Sequence, residues 1–246
     1  MRIEGAIVLV TGAARGLGLA IATHLQGRGA TVIAADIDAA ALAALPEGIG
    51  AATVDITDPE AVAACVQDLW ARHGRIDVLV NNAGAIHSEP MIDIMRPDAM
   101  MHDLGRFRRC LAANLESVFI MTSAVVEQMA RRRVRGLVVN ISSISARGNA
   151  GQTAYAAAKA GVNAMTVTWA KEWGAFGIRC NAVAPGFIDT PSTRTALSPP
   201  HLKHVETSTP LRRLGRADEV AQAVGSLVEN DFVNGIVLDV HGGLSI

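Results

Sequence analysis

Cysteine is scarce in this chain, with three residues in 246, and Cys65, Cys110 and Cys180 are widely spaced with no CxxC pair. An odd, scattered set argues against a disulfide framework or a thiolate zinc site and fits a reducing compartment, where the three read as small core residues. An excess of charge of either sign is also missing: 22 Lys and Arg stand against 23 Asp and Glu. Bulk electrostatics therefore favours neither nucleic acid nor an anionic membrane, and a small-molecule partner is expected. No apolar run reads as long enough to span a bilayer. The opening "MRIEGAIVLV" turns polar at Thr11 too soon for a signal peptide, so a soluble, cytoplasmic protein is expected. Low-complexity linkers and internal repeats are absent too, and a single domain over residues 1–246 follows. Aromatic residues make up only 4%, and Tyr155 is the single tyrosine.

What the chain does have is short apolar, β-branched runs at residues 6–10, 31–35, 51–54, 76–80, 137–141, 179–184 and 236–240. Between most of them lie helical patterns such as "LGLAIATHLQGRG", "PEAVAACVQDLWARHG" and "AYAAAKAGVNAMTVTWAKEW", with apolar residues three and four apart. Continuously apolar strands suit burial on both faces, and right-handed helical crossovers make the sheet parallel. The expected fold is α/β: a Rossmann-type, doubly wound, seven-stranded parallel sheet with helices on both faces.

"TGAARGLG" follows the first run directly. Gly12, Gly16 and Gly18 make a turn into which the helix starting near Leu17 would aim its free N–H groups and positive dipole end, a good place for a pyrophosphate. The second run ends in "AAD", which puts Asp36 about where a carboxylate accepts hydrogen bonds from the adenosine ribose hydroxyls and repels a 2′-phosphate. Ile37 follows rather than a basic side chain, so NAD is preferred over NADP; Arg15 is the group that would greet a phosphate. The third run leads to "VDITD" with Asp55, and the fourth to "NNAG". Four such ends on one carboxyl edge point to a bound dinucleotide, because that edge is where open α/β sheets bind ligands.

"YAAAK" sets Tyr155 and Lys159 four apart on a helix, on one face and within reach of each other. A nearby ammonium favours the phenolate and lowers the tyrosine pKa from about 10, which suits general acid or base work. Upstream, "VVNISS" delivers Ser142 and Ser143 to the same edge.

In "TGAARGLG", "NNAG", "NLESVF", "NISS", "YAAAK" and "PGFIDT", in that order along nearly the whole chain, the sequence resembles the short-chain dehydrogenase/reductase family, classical type. The resemblance implies reversible hydride transfer between a nicotinamide and an alcohol or ketone, with no metal required. It makes Tyr155 the acid/base, Ser143 or Ser142 its hydrogen-bonding partner, and Lys159 the residue that lowers the tyrosine pKa and holds the nicotinamide ribose. Ser142 has the family's usual spacing to the tyrosine, whereas Ser143 matches when the strand ends are aligned; Ser143 is preferred. Asn114 matches the asparagine that supports a proton-relay water near Lys159. Cofactor contacts are implied for Gly12, Arg15, Gly16, Leu17 and Gly18 in the first turn, and for Asp36, Ile37, Asp55 and Ile56 at the next two strand ends. Asn82, Ala83 and Gly84 in "NNAG", and Pro185, Gly186, Ile188 and Thr190 in "PGFIDT", complete that set. A homotetramer or dimer is implied as well, built partly through long helices over residues 104–133 and 153–173.

Departures concentrate on the substrate side. Residues 85–110 look like an insertion, whose Met91, Met95, Met100 and Met101 either line an adaptable apolar pocket, pack on a neighbouring subunit or cover the domain. Residues 187–216 form either a lid or a surface excursion. His87 is given no role. His241 stands where relatives usually carry aspartate and is expected to alter C-terminal packing or a subunit contact. Residues 131–135, "RRRVR", read as a basic helix end.

"ARGNAGQTAY" resembles acyl-thioester reductases and 3-hydroxyacyl dehydrogenases of the family, although Phe176 stands where carrier-protein reductases often have arginine. The expected substrate is a 3-hydroxyacyl thioester, a hydroxysteroid or another apolar alcohol with NAD. An NADPH-dependent 3-oxoacyl thioester reductase is the alternative, and a non-catalytic dinucleotide-sensing protein is the alternative of another class.

Overall fold

The computed structural model describes residues 1–246, the side chain of Ala196 excepted. Seven strands form one parallel sheet in the order β3-β2-β1-β4-β5-β6-β7. They are β1 (Ile7–Thr11), β2 (Thr31–Asp36), β3 (Ile49–Thr53), β4 (Val78–Asn81), β5 (Gly136–Ile141), β6 (Ile178–Pro185) and β7 (Val237–Val240). The order reverses between β1 and β4, and the crevice at that reversal is where such sheets hold ligands.

Alternation explains why the strands read as unbroken apolar runs. Val8 and Val10 of β1 pack towards helices α1 (Gly16–Gln26) and α9 (Ala217–Glu229) on one face. Leu9 packs towards α3 (Pro59–His73), α5 (Ser117–Arg131) and α6 (Thr153–Trp173) on the other. The same division separates Leu137 and Val139 from Val138 in β5. The central strands thus need apolar residues at both phases of their pleat, while the edge strands β3 and β7 are partly exposed.

Inside the second layer lies a polar ladder. Asn81 and Asn140, register partners on β4 and β5, are buried, and Asn81 Nδ2 donates to Asn140 Oδ1 at 2.9 Å and to Thr122 Oγ1 at 2.8 Å. Asn140 Nδ2 donates to Thr166 Oγ1 at 2.9 Å. These bonds tie α5 and α6 to neighbouring strands directly beneath the carboxyl edge, and a satisfied buried network rigidifies what it joins.

Side-chain caps start several of the other helices. Asp58 accepts from the N–H groups of Glu60 and Ala61 to begin α3, which stops at Gly74 with φ of 75°. Asp38 caps the short α2 (Ala39–Leu42), and Asp103 caps α4 (Leu104–Leu111). The helix expected over residues 104–133 is not regular: a π-turn at Ala112–Glu116 separates α4 from α5.

The helical run Leu104–Arg131, at 28 residues, does have the length and apolar composition to cross a bilayer, which corrects the expectation drawn from run length. Here Val118, Met121, Val125 and Met129 spend that apolar surface on the protein core. Residues 187–216 also prove more regular than their weak periodicity suggests. They contain α7 (Pro191–Ala196) and α8 (Pro199–Ser208).

Candidate active site

A cleft of about 900 Å³ opens along the carboxyl edge, and every residue expected from the sequence to bind cofactor or do chemistry borders it. Thr11, at the end of β1, holds the first turn to the fourth strand. Its hydroxyl accepts from the N–H groups of Asn82 and Ala83, both at 3.1 Å, while Asn82 Nδ2 donates to the carbonyls of Thr11 and Gly12 at 3.0 Å. So tight is this seam that a Cβ on Gly12 would meet Ala83 Cα at 2.7 Å, and one on Gly18 would meet Asn82 Nδ2 at 2.5 Å. Gly16, at φ of 58°, has nothing within 4 Å of its missing Cβ.

Beyond that seam α1 begins without a side-chain cap and without an acidic residue in its first turn. Bare N–H groups at a helix start, beside glycines that leave the approach open, suit an anion of pyrophosphate size. Asp36 lies next to them. Its Oδ2 accepts from the Ala14 N–H and its Oδ1 from the Asp38 N–H, both at 3.1 Å, so the carboxylate is fixed with lone pairs left for ribose hydroxyls. Arg15 is ion-paired with Asp38 rather than free to meet a phosphate. Ile37 is exposed, and Asp55 is turned back on Thr57, whose N–H and hydroxyl both donate to it. Leu17, Ile56 and Gly84 line the cleft between these ends. These residues fit a nicotinamide dinucleotide.

At the other end of the cleft, β5 releases Ser142 and Ser143, and α6 presents Tyr155 and Lys159. The two serines diverge. Ser142 Oγ donates to the Lys159 carbonyl at 3.5 Å, whereas Ser143 Oγ accepts from the Ser145 N–H at 3.1 Å and acts on the Tyr155 phenol by lowering its pKa. Lys159 is 4% exposed, donates from Nζ to the Ile141 carbonyl at 2.8 Å and lies 5.7 Å from the Tyr155 ring centroid. Burial lowers its pKa to about 8.

The tyrosine departs from expectation. Burial pushes the Tyr155 phenol up to about 12, only partly offset by the neighbouring Ser143 hydroxyl. The lowering expected from Lys159 is not seen, because that ammonium is itself buried and directed to the Ile141 carbonyl. Asn114 is fully buried in the π-turn, with its Oδ1 accepting from the Ala85 N–H and its Nδ2 donating to the carbonyls of Ala85 and Cys110. It thereby locks the segment after β4 to the helix.

Pro185 ends β6 and Gly186 N–H donates to the Val240 carbonyl at 3.0 Å. Gly186 is packed so closely on residue 241 that a Cβ would meet His241 Cβ at 2.8 Å, and the His241 imidazole accepts from the Gly243 N–H through Nδ1 at 3.1 Å within the C-terminal turn. Ile188 is buried and bridges to Gly215. Thr190 borders the cleft, but its hydroxyl caps α7 by accepting from the Thr193 N–H. The four methionines of the suspected insertion do not border the cleft; Met91, Met95, Met100 and Met101 are all exposed. Ile86 and Gln152 border it instead, and sequence reasoning passed over both. It also passed over Asp38, whose signal was an acid two residues after Asp36 at the start of a helical pattern.

A reversal-point crevice with a glycine seam, an uncapped helix and a Ser-Tyr-Lys group defines a nicotinamide-dinucleotide oxidoreductase. A family model described as "Enoyl-(Acyl carrier protein) reductase" matches residues 12–245. Among curated proteins, the chain is 40% identical to "3-oxoacyl-[acyl-carrier-protein] reductase FabG" of Thermotoga maritima, with 100% of both chains covered. It is 36% identical to "(3R)-3-hydroxyacyl-CoA dehydrogenase" of Canis lupus familiaris, over 99% of this chain and 98% of that one. Among solved structures, "Crystal structure of gox2181" superimposes with a TM-score of 0.90 at 32% identity, over 98% of this chain and 96% of that one. The chain belongs to the short-chain dehydrogenase/reductase family.

Proposed function

We propose that this protein is an NAD-linked oxidoreductase that interconverts a 3-hydroxyacyl thioester and its 3-oxo form, with Tyr155 as acid/base and Ser143, Lys159 and Asn114 as its partners. The observation that carries the reaction is that Ser143, Tyr155 and Lys159 line the same cleft as the glycine seam. The thioester is supported by the names of the two curated relatives, one a 3-oxoacyl reductase and the other a 3-hydroxyacyl dehydrogenase.

A nicotinamide supplies or accepts hydride at its C4 when bound. The chain's own part is orientation and a proton. Tyr155, protonated at neutral pH because burial holds its pKa near 12, donates its hydroxyl proton to the substrate oxygen during reduction, and Ser143 hydrogen-bonds the same oxygen. Lys159, cationic below about pH 8, eases the return of the proton in the oxidative direction and holds the nicotinamide ribose. Asn114 fixes the segment after β4 against α4 and so shapes the route by which that proton reaches solvent.

Asp36 with its two backbone bonds, together with the Arg15–Asp38 pair, supports NAD: two carboxylates and a neutralised arginine are a poor seat for a 2′-phosphate. The second reading is an NADPH-linked 3-oxoacyl thioester reductase, of which the name of the first relative supports the 3-oxoacyl reductase part. The proposal includes a cytoplasmic homo-oligomer, consistent with free cysteines and with the exposed Phe119 ring on α5. Initial rates with NAD and NADP on a 3-hydroxyacyl thioester, and with the reduced forms on its ketone, test the reading. Turnover with NAD that falls about 10²–10⁴-fold in Tyr155→Phe is the expected result. A preference for NADP overturns the cofactor assignment, and a Tyr155→Phe variant with unaltered rate overturns the chemistry.

A further inference from the structure

His87, which the sequence left without a role, is two residues from Glu89 in the extended stretch after β4, so both side chains project to one side. The backbone then loops out and returns His102 to them, 13 residues beyond Glu89. Glu89 is well anchored: its N–H donates to the Gly151 carbonyl at 2.7 Å, and it pairs with Gln152 ahead of α6.

The carboxylate is divided between two kinds of partner. Oε1 accepts from the Asp103 N–H at 3.3 Å and from Arg106 at 3.4 Å. Oε2 faces two imidazoles, with His87 Nε2 at 3.1 Å and His102 Nε2 at 3.7 Å. His102 is the informative member. Its Nδ1 lies 3.1 Å from the Glu89 carbonyl, which can only accept, so Nδ1 carries the proton and Nε2 of the neutral ring presents a lone pair. That side chain is only 5% exposed, and Nε2 has no hydrogen-bond partner. A buried lone pair aimed at a carboxylate oxygen calls for a positive charge between them.

We propose that His87, Glu89 and His102 bind one divalent transition cation of the zinc class. The ligand atoms all lie within 4.8 Å of one another, and the separations to Glu89 Oε2, 3.1 and 3.7 Å, bracket the edge of about 3.4 Å of a tetrahedron with bonds of about 2.0–2.1 Å. Two imidazoles and one carboxylate suit zinc and its neighbours rather than magnesium or calcium, which prefer oxygen alone. The hydrogen bonds on His102 Nδ1 and Glu89 Oε1 are the outer contacts that hold metal ligands in orientation. None of the three residues borders the cleft, so the ion is a clip and takes no part in hydride transfer. It closes the loop over residues 85–103 on itself, and the backbone bridge from Glu89 to Gln152 joins that closed loop to the start of the helix that carries Tyr155. Phe107 packs edge-on to His102, with ring centroids 6.2 Å apart, and beside Tyr155.

The test uses the whole chain, stripped with a chelator and titrated with zinc chloride against a chromophoric competitor. One zinc per chain is expected, with binding about ten-fold or more weaker in Glu89→Gln and in His102→Ala. His87→Ala, at a less buried ligand, is a further variant that guards against misfolding of the other two, and His201→Ala is the control that keeps full affinity. Cobalt(II) chloride should give the visible absorption of a four-coordinate site. Hydrogen exchange over residues 85–103 should slow on zinc addition. Absence of stoichiometric binding at roughly micromolar zinc, or equal affinity in all the variants, overturns the proposal, as does a proton titrating on His102 Nε2 undisturbed by zinc.

Discussion

Replacing Lys159 by methionine should destroy turnover and yet stabilise the fold at neutral pH. Lys159 is buried without a carboxylate partner among its hydrogen bonds, and burial lowers its pKa from 10.5 to about 8. At about 1.4 kcal/mol per pH unit, that drop corresponds to about 3 kcal/mol of penalty on the charged form. Against it stands the charge-assisted bond to the Ile141 carbonyl, of order 1.5–3 kcal/mol. Methionine fills the same channel with an unbranched chain and no charge, so a net gain of up to about 2 kcal/mol is expected at pH 7. That is about 2–4 °C in Tm for each kcal/mol in a chain of this size.

The sign with pH follows from proton counting. The unfolded chain keeps the Lys159 proton up to 10.5 and the folded chain only up to about 8, so between those values the folded state binds fewer protons. The wild type is therefore stabilised by this group as pH rises through that window. The advantage of the variant is full below about pH 8 and should shrink by about 3 kcal/mol by pH 10.5. Tyr155 and Cys180, both pushed up to about 12 by burial, act oppositely at high pH, but they are common to both chains and cancel in the difference. Urea unfolding followed by the fluorescence of Trp70, Trp169 and Trp173 at several pH values reads it directly. A difference of constant size from pH 7 to 10.5, or a variant destabilised at pH 7 by more than about 3 kcal/mol, would refute the reasoning.

Other expectations are narrower. Thr11→Val keeps the shape but removes the acceptor for two N–H groups, and should cost about 1–3 kcal/mol by urea unfolding. An unchanged midpoint would show that the seam is held by other means. Gly18→Ala places a methyl group against Asn82 Nδ2 and should lower stability by about 1–3 kcal/mol while weakening dinucleotide binding measured by calorimetry. Asp36→Ala removes the carboxylate beside the first turn, so the ratio of kcat/KM for NAD over NADP should fall by about ten-fold or more; a constant ratio would locate discrimination elsewhere.

The sheet was legible because its strands advertise themselves twice. Runs such as "IVLVT" are apolar at both pleat phases, which only a doubly covered strand requires, and the turns that follow β1 to β6 carry residues that line the cleft. What periodicity could not convey was the company each side chain keeps. Nothing in "NISS" tells which serine turns to the tyrosine; that depends on Ser142 meeting the Lys159 carbonyl across 17 residues. The raised Tyr155 pKa was hidden for the same reason, since the pairing of Tyr155 with Lys159 is local and the burial of both is not. The cluster around Glu89 escaped notice because His102 reaches it through a loop with no period to read.

The π-turn at Ala112–Glu116 has a consequence for inheritance as well as for shape. A helix advances about 100° per residue, so one residue too many leaves the two halves rotationally out of step. Upstream of the offset, Cys110 and Phe107 reach the tyrosine; downstream, Met121, Val125 and Met129 reach the sheet. A regular helix of the same composition would aim only one of those sets correctly. Point substitutions in this run are therefore absorbed more easily than a codon deleted from α4 or α5, which would swing part of the run away from its target, whereas one deleted within the π-turn would remove the surplus residue itself.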